Sequence, residues 1–191
     1  MELIIGPMFS GKTIDLVRKC SVAAFTGPCA FVRPFADTRE DDGSAVSSHG
    51  MFQVRQNKLD GPGYVSFVRT APDNLLGGVD LSAFATVGID EGQFFPDLIS
   101  GCRDLRRAGK RVIVAALDAD FTRSPFPLGA EGTILGLIPH CTHVKKLHAV
   151  CECGKAAPHS MRLTDSDTTV LVGGSDAYRA VCPECYDSHC T

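Results

Sequence analysis

Three observations in the amino-acid sequence predict an α/β fold, with a parallel β-sheet flanked by helices and followed by a small β domain. Short apolar or β-branched runs alternate with stretches of helical spacing in the first part of the chain. Hydrophobic residues make up 44% of the 191 residues and charged residues 21%, as in folded globular proteins. From about Cys141 the pattern changes to cysteines, histidines and glycines around short strand-like runs. We therefore predict two domains, residues 1–140 and 141–191.

The individual elements follow from local patterns taken in chain order. Strands are predicted at Glu2–Ile5, Cys29–Val32, Tyr64–Val68, Thr86–Asp90 and Arg111–Asp118, and in the second domain at Val170–Val172 and Arg179–Val181. Helices are predicted at Lys12–Ala24, Pro72–Phe84 and Phe95–Ala108. The last helix has apolar residues three and four positions apart, which indicates a buried stripe. Residues 40–63 combine glycines with charges and serines, which indicates a mobile loop or a loose hairpin.

Charge and hydropathy argue against some classes of protein. A net charge of −3 and a sequence pI near 6.0 indicate no general attraction to nucleic-acid backbones or anionic membranes. The first apolar run, Leu3 to Ile5, is too short for a signal-peptide core, and no later run approaches the ~18 apolar residues of a membrane span. We therefore expect a cytoplasmic protein, whose nine cysteines are thiols or metal ligands rather than disulfides.

A phosphate-binding loop is predicted between the first strand and the first helix. Its residues match the pattern G-x-x-x-x-G-K-[ST] and are Gly6, Pro7, Met8, Phe9, Ser10, Gly11, Lys12 and Thr13. Glycines let backbone N–H groups turn toward phosphate oxygens, and the following helix adds the positive end of its dipole. Lys12 is expected to bridge the outer phosphates, and the Thr13 hydroxyl to bind Mg²⁺. ATP or GTP binding is the strongest inference from the motif.

An acidic pair, Asp90 and Glu91, follows the apolar run that begins at Thr86. An acid at this strand end meets the Mg²⁺ of the phosphate loop in P-loop folds, and Asp90 suits that role through water. Glu91 lies one residue further, at the edge where open α/β sheets bind ligands, so its carboxylate is placed to accept a proton from an attacking hydroxyl. These two motifs alone also fit an ATPase, because water is another possible attacking hydroxyl.

Seven segments of the sequence, including these two motifs, occur in an order that points to one protein family. They are GPMFSGKT (6–13), ADTR (36–39), SSHG (47–50), IDEGQFFPDL (89–98), AALDADFTRSPF (115–126), VKKLHAVCECG (144–154) and VGGSDAYRAVCPECY (172–186). In this order they resemble the type II thymidine kinases, the cytosolic, zinc-containing family, over most of the chain. The resemblance implies a P-loop core with a zinc-ribbon-like C-terminal domain. It also implies transfer of the γ-phosphoryl group of ATP, with Mg²⁺, to the 5′-hydroxyl of thymidine or deoxyuridine in nucleotide salvage for DNA synthesis.

The same resemblance implies roles for individual residues around the phosphates. Glu91 matches the general base, and Arg123 matches a position near the transferring phosphate, whose charge Lys12 also stabilises. Asp37 and Arg39 match a segment near the phosphates. The family further implies a homodimer or homotetramer and feedback inhibition by thymidine triphosphate. From the charge and hydropathy above we expect neither nucleic-acid nor membrane partners.

The nucleoside pocket is also carried over from the resemblance. The implied residues are Phe94, Leu117, Phe121, Phe126 and Tyr178 around the base, with Thr169, Leu171, Val172 and Gly174 in a lasso-like loop at about 160–180. Aromatic walls supply stacking, and backbone groups read the edge of the base. Core packing is an alternative role for each apolar residue, above all for Leu117 and Phe126.

Two pairs of cysteines predict a structural zinc site. Cys182 and Cys185 form a C-x-x-C pair, the usual turn that offers two thiolates to one zinc ion. Upstream, where the family has a second C-x-x-C, this chain has Cys151 and Cys153, one residue closer together. We favour these four as the ligands. Two other readings stay open, in which His148 or another nearby residue replaces Cys151, or the site is incomplete.

Other functions compete with a nucleoside kinase. A motor ATPase acting on nucleic acid shares the P-loop and acidic pair, but such motors usually need a second ATPase domain or a ring neighbour and contacts to single strands. A zinc-ribbon binding module leaves the P-loop without a purpose. A kinase of another nucleoside is closer, and thymidine and deoxyuridine differ by one methyl group, worth only ~1–3 kcal/mol of discrimination.

Overall fold

A computed structural model describes residues 1–35, 45–48, 52–55, 65–164 and 173–189. The strands are β1 (Glu2–Ile5), β2 (Cys29–Arg33), β3 (Ala45–Ser48), β4 (Phe52–Arg55), β5 (Val65–Arg69), β6 (Thr86–Ile89), β7 (Arg111–Ala116), β8 (His143–Lys146), β9 (Ala149–Val150), β10 (Ala156–Ala157), β11 (His159–Arg162) and β12 (Tyr178–Val181). The α-helices are α1 (Lys12–Ala24), α2 (Leu98–Arg107) and α3 (Pro183–His189).

Six parallel strands form the main sheet, in the order β5-β2-β6-β7-β1-β8. Strand β1 lies between β7 and β8, and its last residue, Ile5, is paired with Ala116 on one side and Lys146 on the other. The loop after β1 therefore emerges between the carboxyl ends of two neighbouring strands. This confirms the predicted parallel α/β sheet.

The four central strands of the sheet, β2, β6, β7 and β1, are buried between two apolar layers. Successive strand residues point to opposite faces, so Leu3 packs in the layer that contains α2, and Ile4 packs in the layer beneath α1. Helix α1 contributes the fully buried Leu16 and Cys20, and α2 contributes Leu98. Each such large apolar side chain stabilises the fold by about 1.5–3 kcal/mol.

The predicted helix at 72–84 is wrong. The segment is a series of turns around one 3₁₀ turn, Leu76–Gly78. Asn74 has a left-handed φ of 53°, and the carboxylate of Asp97 accepts hydrogen bonds from the N–H groups of Leu76 and Gly77, both at 2.8 Å. The side chain of Asp97, which directly precedes α2, thus takes donors that a helix would need, and Gly77 with Gly78 makes that conformation accessible.

The other predictions hold with small shifts in their ends. Helix α1 and strand β1 match their predicted bounds, whereas α2 begins at Leu98 instead of Phe95. Pro96 and Asp97 form a turn before it, and Phe95 is buried all the same. Strands β3 and β4 pair antiparallel, which confirms the hairpin alternative for 40–63 within the described residues. Predicted strand 170–172 lies outside the described residues.

The C-terminal part has its own small apolar cluster. Two antiparallel pairs, β9 with β10 and β11 with β12, pack with α3 around Met161, Val181 and Tyr186. Strand β8, which the division at residue 141 assigns to the second domain, belongs to the main sheet. No helix in the described ranges has the length and apolar character needed to span a membrane.

Candidate active site

The loop between β1 and α1 has the backbone of an anion-binding site. Gly6 has a φ of 151°, and a Cβ there would lie 2.5 Å from the carbonyl oxygen of Leu147, so only glycine fits. Gly11, at the N-cap of α1, has a left-handed φ of 82°. Since glycine has no side chain to cap the helix, the first N–H groups of α1 can bind an anion.

Lys12 lies folded into this loop. Its Nζ donates a hydrogen bond to the carbonyl oxygen of Pro7 at 2.6 Å, and the Ser10 hydroxyl donates to the same oxygen at 2.8 Å. The Lys12 side chain is buried, which is rare for lysine unless its charge has partners. The ammonium therefore lies within the concave side of the loop, where phosphate oxygens bind in such motifs.

The predicted Mg²⁺ ligands are brought together across 77 positions of sequence. The Thr13 hydroxyl donates to Asp90 Oδ1 at 3.1 Å, and both residues are buried. A hydroxyl and a carboxylate beside a phosphate loop form the oxygen donor set that Mg²⁺ takes, with water and phosphate completing the octahedron. The residues present fit this cation.

Glu91 stands at the carboxyl end of β6 in an unusual backbone conformation. Its φ is 50° and ψ 47°, the left-handed region, and a 3₁₀ turn follows at Gly92–Phe94. At Gly92 a Cβ would lie 2.9 Å from Val114, so glycine lets the turn pack closely on β7. The strained turn directs the carboxylate away from the regular strand path, as at many active sites.

Gln93 orients Glu91 and was missed by the sequence reasoning. Its Nε2 donates to Glu91 Oε2 at 2.6 Å, and its Oε1 accepts from the Leu117 N–H at 3.0 Å. With its side chain buried, the amide links the candidate base to the end of β7. Its presence inside the segment DEGQ was the available signal.

An ion pair joins the two strands that flank the phosphate loop. Lys146, at the end of β8, lies 2.7 Å from the carboxylate of Asp118, just beyond β7. Asp118 is buried and Lys146 is half-exposed. Since β1 runs between β7 and β8, the pair braces the exit of the phosphate loop.

The predicted base-pocket residues form two groups. Phe126 is buried in the main core, and the partly buried Leu117 packs against that core. Both residues therefore have a packing role. Phe121 and Tyr178 are linked by Arg162: its guanidinium lies 3.9 Å from the Phe121 ring centroid, and its Nη2 donates to the Tyr178 hydroxyl at 2.7 Å. Arg162 was not predicted.

Apart from Arg123, the structure describes Phe94 and Gly174 of the remaining residues predicted to bind the nucleoside or phosphates. Phe94 is half-buried in the 3₁₀ turn after Glu91. Gly174 begins a turn, where its carbonyl oxygen accepts from the Tyr178 N–H at 3.0 Å. The others lie outside the described residues: Asp37, Arg39, Thr169, Leu171 and Val172.

Arg123 lies on the loop after β7 and points to the C-terminal helix. Its Nη1 donates to Asp187 Oδ1 at 3.0 Å, and the guanidinium lies 4.3 Å from the Tyr186 ring centroid. The backbone φ of Arg123 is 69°, a left-handed value. The loop therefore presents this cation to α3.

The four predicted zinc ligands form one cluster. The Sγ atoms of Cys151, Cys153, Cys182 and Cys185 all lie within 4.8 Å of one another. The distance between Cys153 Sγ and Cys182 Sγ is 3.6 Å. Thiolates at ~2.3 Å from a tetrahedral zinc ion lie roughly 3.8 Å apart, so these residues fit zinc.

A tight turn explains how the shortened Cys-x-Cys pair takes part. The Cys151 N–H donates to the Lys155 carbonyl oxygen at 2.9 Å, and the Gly154 N–H donates to the Cys151 carbonyl oxygen at 2.8 Å. Gly154 supplies the left-handed φ of 84° that this turn needs. Cys151 thus belongs to the cluster, while His148 is exposed and is no member of it.

Crowded thiols perturb one another in this cluster. The N–H groups of Cys182 and Cys153 lower the pKa of the Cys151 thiol to about 6. The side chains of Cys182 and Cys153 raise the pKa of the Cys185 thiol to about 12. One stabilised thiolate thus opposes ionisation of its neighbours, which a divalent cation would relieve.

Comparisons with known proteins agree with this geometry. A family model described as thymidine kinase matches residues 1–186. The chain is 38% identical over 192 residues to thymidine kinase 1 of Dictyostelium discoideum, covering 98% of this chain and 78% of that protein. It is 37% identical over 190 residues to the cytosolic thymidine kinase of Homo sapiens, with 97% and 72% covered. The thymidine kinase of Vaccinia virus (strain Ankara) is 37% identical over 190 residues, with 97% and 96% covered.

Proposed function

The chain belongs to the thymidine kinase family, and from this premise we propose that it transfers the γ-phosphoryl group of ATP to the 5′-hydroxyl of thymidine. The observation that carries the proposal is the Thr13–Asp90 hydrogen bond of 3.1 Å. It joins the phosphate loop to the strand end whose next residue is Glu91, a carboxylate held by Gln93. Phosphate, metal and proton acceptor are thereby assigned to one edge of the sheet.

Glu91 is the proposed general base. The 5′-hydroxyl becomes a better nucleophile as Glu91 takes its proton, and the 5′-oxygen attacks the γ-phosphorus while ADP leaves. The Gln93 amide holds the carboxylate in one orientation, so little reorganisation is needed at the moment of reaction. Because Gln93 already contacts the carboxylate in the protein without substrate, we expect the base to be positioned before substrate binds.

Lys12, Arg123 and the metal ligands are proposed to stabilise charge. Lys12 leaves the Pro7 carbonyl oxygen to donate to outer phosphate oxygens, and Arg123 meets the charge of the transferring phosphoryl group. Thr13 and Asp90 would hold Mg²⁺, which neutralises phosphate charge when bound. Asp37 and Arg39 are proposed near the same phosphates.

The nucleoside is proposed to bind against aromatic side chains near Arg162. Phe94, Phe121 and Tyr178 supply apolar surface, with Leu117 and Phe126 behind them, and Gly174 with Thr169, Leu171 and Val172 contributes backbone groups. Deoxyuridine is a proposed second substrate, since it lacks only the 5-methyl group.

The four cysteines are proposed as a structural site. A zinc ion there would tie the β9–β10 turn to the start of α3, a closed four-ligand site without catalytic water. Since β8 belongs to the main sheet, we place the boundary of the second domain after Lys146. We further propose a cytoplasmic dimer or tetramer inhibited by thymidine triphosphate, testable by light scattering and inhibition assays.

One assay tests the proposed reaction. Purified protein with Mg²⁺ and ATP is offered thymidine, deoxyuridine, deoxycytidine or single-stranded DNA, and products are identified by mass. We expect thymidine monophosphate in a one-to-one ratio with ADP, and loss of turnover in Lys12→Ala. ADP formation that depends on DNA but not on nucleoside would instead identify a nucleic-acid ATPase.

A further inference from the structure

Helix α3 makes three contacts with the loop that carries Arg123. The Tyr186 hydroxyl donates to the Phe121 carbonyl oxygen at 2.7 Å. The Asp187 carboxylate accepts from Arg123 Nη1 at 3.0 Å, and the Tyr186 ring lies beneath the guanidinium at 4.3 Å from its centroid. An ion pair and a cation–π contact thus act on one guanidinium group.

The loop itself is rigid around Arg123. Asp120 Oδ1 accepts from the Thr122 N–H at 2.8 Å, from the Thr122 hydroxyl at 2.6 Å and from the Ser124 N–H at 3.1 Å. The Arg123 N–H donates to the Asp120 carbonyl oxygen at 3.1 Å. With the backbone held, the position of the guanidinium depends on the side-chain torsions that Tyr186 and Asp187 restrict.

Within the described residues, one edge of the Arg123 guanidinium is occupied by a hydrogen-bond acceptor. Among the residues that the structure describes, Arg123 Nη1 alone has a hydrogen-bond acceptor, the Asp187 carboxylate. The donors on Nε and Nη2 are available to oxygens of a bound phosphate. An arginine held at one nitrogen can therefore present its other donors without first being ordered.

Tyr186 is also held by contacts other than those with the Arg123 loop. Tyr186 is buried in the small C-terminal core, against which Phe9 of the phosphate loop also packs. Its N–H donates to the Cys182 carbonyl oxygen at 3.0 Å. The ring therefore belongs to a packed core and supports the Arg123 guanidinium from that side.

We propose that Tyr186 and Asp187 are positioning residues, which hold the Arg123 guanidinium ready for the transferring phosphoryl group. The inference rests on the proposed function, in which Arg123 stabilises that group. Preorganised donors are more effective in catalysis than flexible ones, because their ordering is complete before the reaction.

A double-mutant cycle in kcat tests the inference. We expect Asp187→Ala to lower kcat about two- to fivefold, the range for an exposed ion pair, with the KM for thymidine unchanged. In an Arg123→Ala background, Asp187→Ala should lower kcat no further. Asp187→Glu should recover part of the rate, and Tyr186→Leu should lower kcat more than Tyr186→Phe, because only leucine removes the ring.

The matched control is Asp104→Ala on α2. Asp104 forms a more exposed ion pair, with Arg107 at 2.9 Å, and takes no part in the contacts of Arg123 described above, so its loss should leave kcat unchanged. Asp187→Asn, which keeps the side-chain shape, replaces Asp187→Ala if the latter unfolds at lower temperature.

The outcomes distinguish failure of the positioning role from failure of the proposed function. A normal kcat in Asp187→Ala, or an equal loss of rate with and without Arg123, would overturn the positioning role and leave the proposed function standing. A normal kcat in Arg123→Ala would overturn both the positioning role and the part of Arg123 in the proposed reaction. Absence of thymidine phosphorylation in the unmutated protein would remove the proposed function itself.

Discussion

The phosphate loop occupies eight consecutive residues, Gly6 to Thr13, whereas the cysteine cluster draws four side chains from two segments, 151–153 and 182–185. The loop is shaped by its own backbone, through the positive φ angles of Gly6 and Gly11, and lies on a strand buried in the main core. The cluster lies in a small core with only two-stranded pairings around it. The first region therefore depends on local geometry, and the second on groups that meet only after folding.

This difference has a functional consequence. A site on a buried sheet keeps its geometry when a surface contact is lost, because the sheet is stabilised by two apolar layers. A small cluster that buries few apolar side chains needs another source of stability, and a metal ion can supply it. We therefore expect substitutions at the sheet edge to change the rate, and substitutions at the cluster to change the fold.

Glu91→Gln should have the largest effect and tests the first half of this comparison. The glutamine keeps the shape and the contact with Gln93 but cannot accept the proton, so kcat should fall by ~10² or more, with thymidine binding retained. Single-turnover kinetics and calorimetric binding separate the two quantities. Asp104→Asn is the control, and near-normal turnover in Glu91→Gln would remove Glu91 from the base role.

Cys151→Ser should have the next largest effect and tests the second half. We expect close to one zinc ion per chain in protein purified without chelator, and affinity weaker by at least about 10–100-fold in the variant, the cost of losing even an outer contact at such sites. Elemental analysis and chelator competition measure this. Hydrogen exchange should then rise in 149–162 and 178–189 while β1 and β6 stay protected.

The control for that variant is Cys141→Ser. Cys141 lies outside the cluster, and its Sγ contacts the Leu137 carbonyl oxygen at 3.2 Å, a contact that a serine hydroxyl can replace. Its zinc content should match the unmutated protein. Zinc-free protein that is fully folded would contradict the structural role of the cluster.

Gln93→Ala tests whether Gln93 orients Glu91 at the sheet edge, and it should lower kcat less than Glu91→Gln does. It removes the 2.6 Å contact to Glu91 and leaves the partly buried Leu117 N–H without its acceptor, each a loss of about 1–3 kcal/mol at most. We expect kcat to fall about tenfold, with a lower midpoint of thermal unfolding. An unchanged kcat beside a lowered midpoint would limit Gln93 to a structural role.

His159→Phe should have the smallest effect. It tests the contact between the two regions, where His159 of the C-terminal part lies near charged residues of the main sheet. Burial lowers the pKa of His159, aided by the charges of Arg123 and Lys146 and opposed by Asp118 and Asp187. The pKa in the folded protein lies below that in the unfolded chain, so the unfolded chain takes up the proton first as pH falls. Stability linked to His159 is complete above about pH 6.5 and decreases as pH falls through that value toward the folded pKa.

The measurement is the unfolding midpoint as a function of pH. In His159→Phe the decrease below about pH 6.5 should be smaller than in the unmutated protein, with little change at higher pH. The phenylalanine preserves the edge contact with Tyr186, whose centroid lies 5.9 Å away. Identical pH dependence in the two proteins would show that His159 does not titrate in this way.

Local spacing in the sequence was enough to predict some parts of the sheet edge, but not the contacts made there between distant residues. Helix α1 and strand β1 follow from local spacing and glycine placement, and both have their predicted bounds. Glu91 could be singled out because an apolar strand ends in two acids. Gln93 could not be given its role, because its partner Leu117 is 24 positions away and is reached only through the packing of β6 beside β7.

The sequence by itself determined the parallel α/β class and predicted the phosphate loop and the cysteine site, because each depends on residue types at short spacing. Only the tertiary structure decided that residues 72–84 are not helical, since the deciding carboxylate, Asp97, comes from another element. It also decided that Cys151 joins the cluster, and that Arg123 faces Asp187. Those outcomes depend on contacts between distant parts of the chain, whose free energies no local pattern contains.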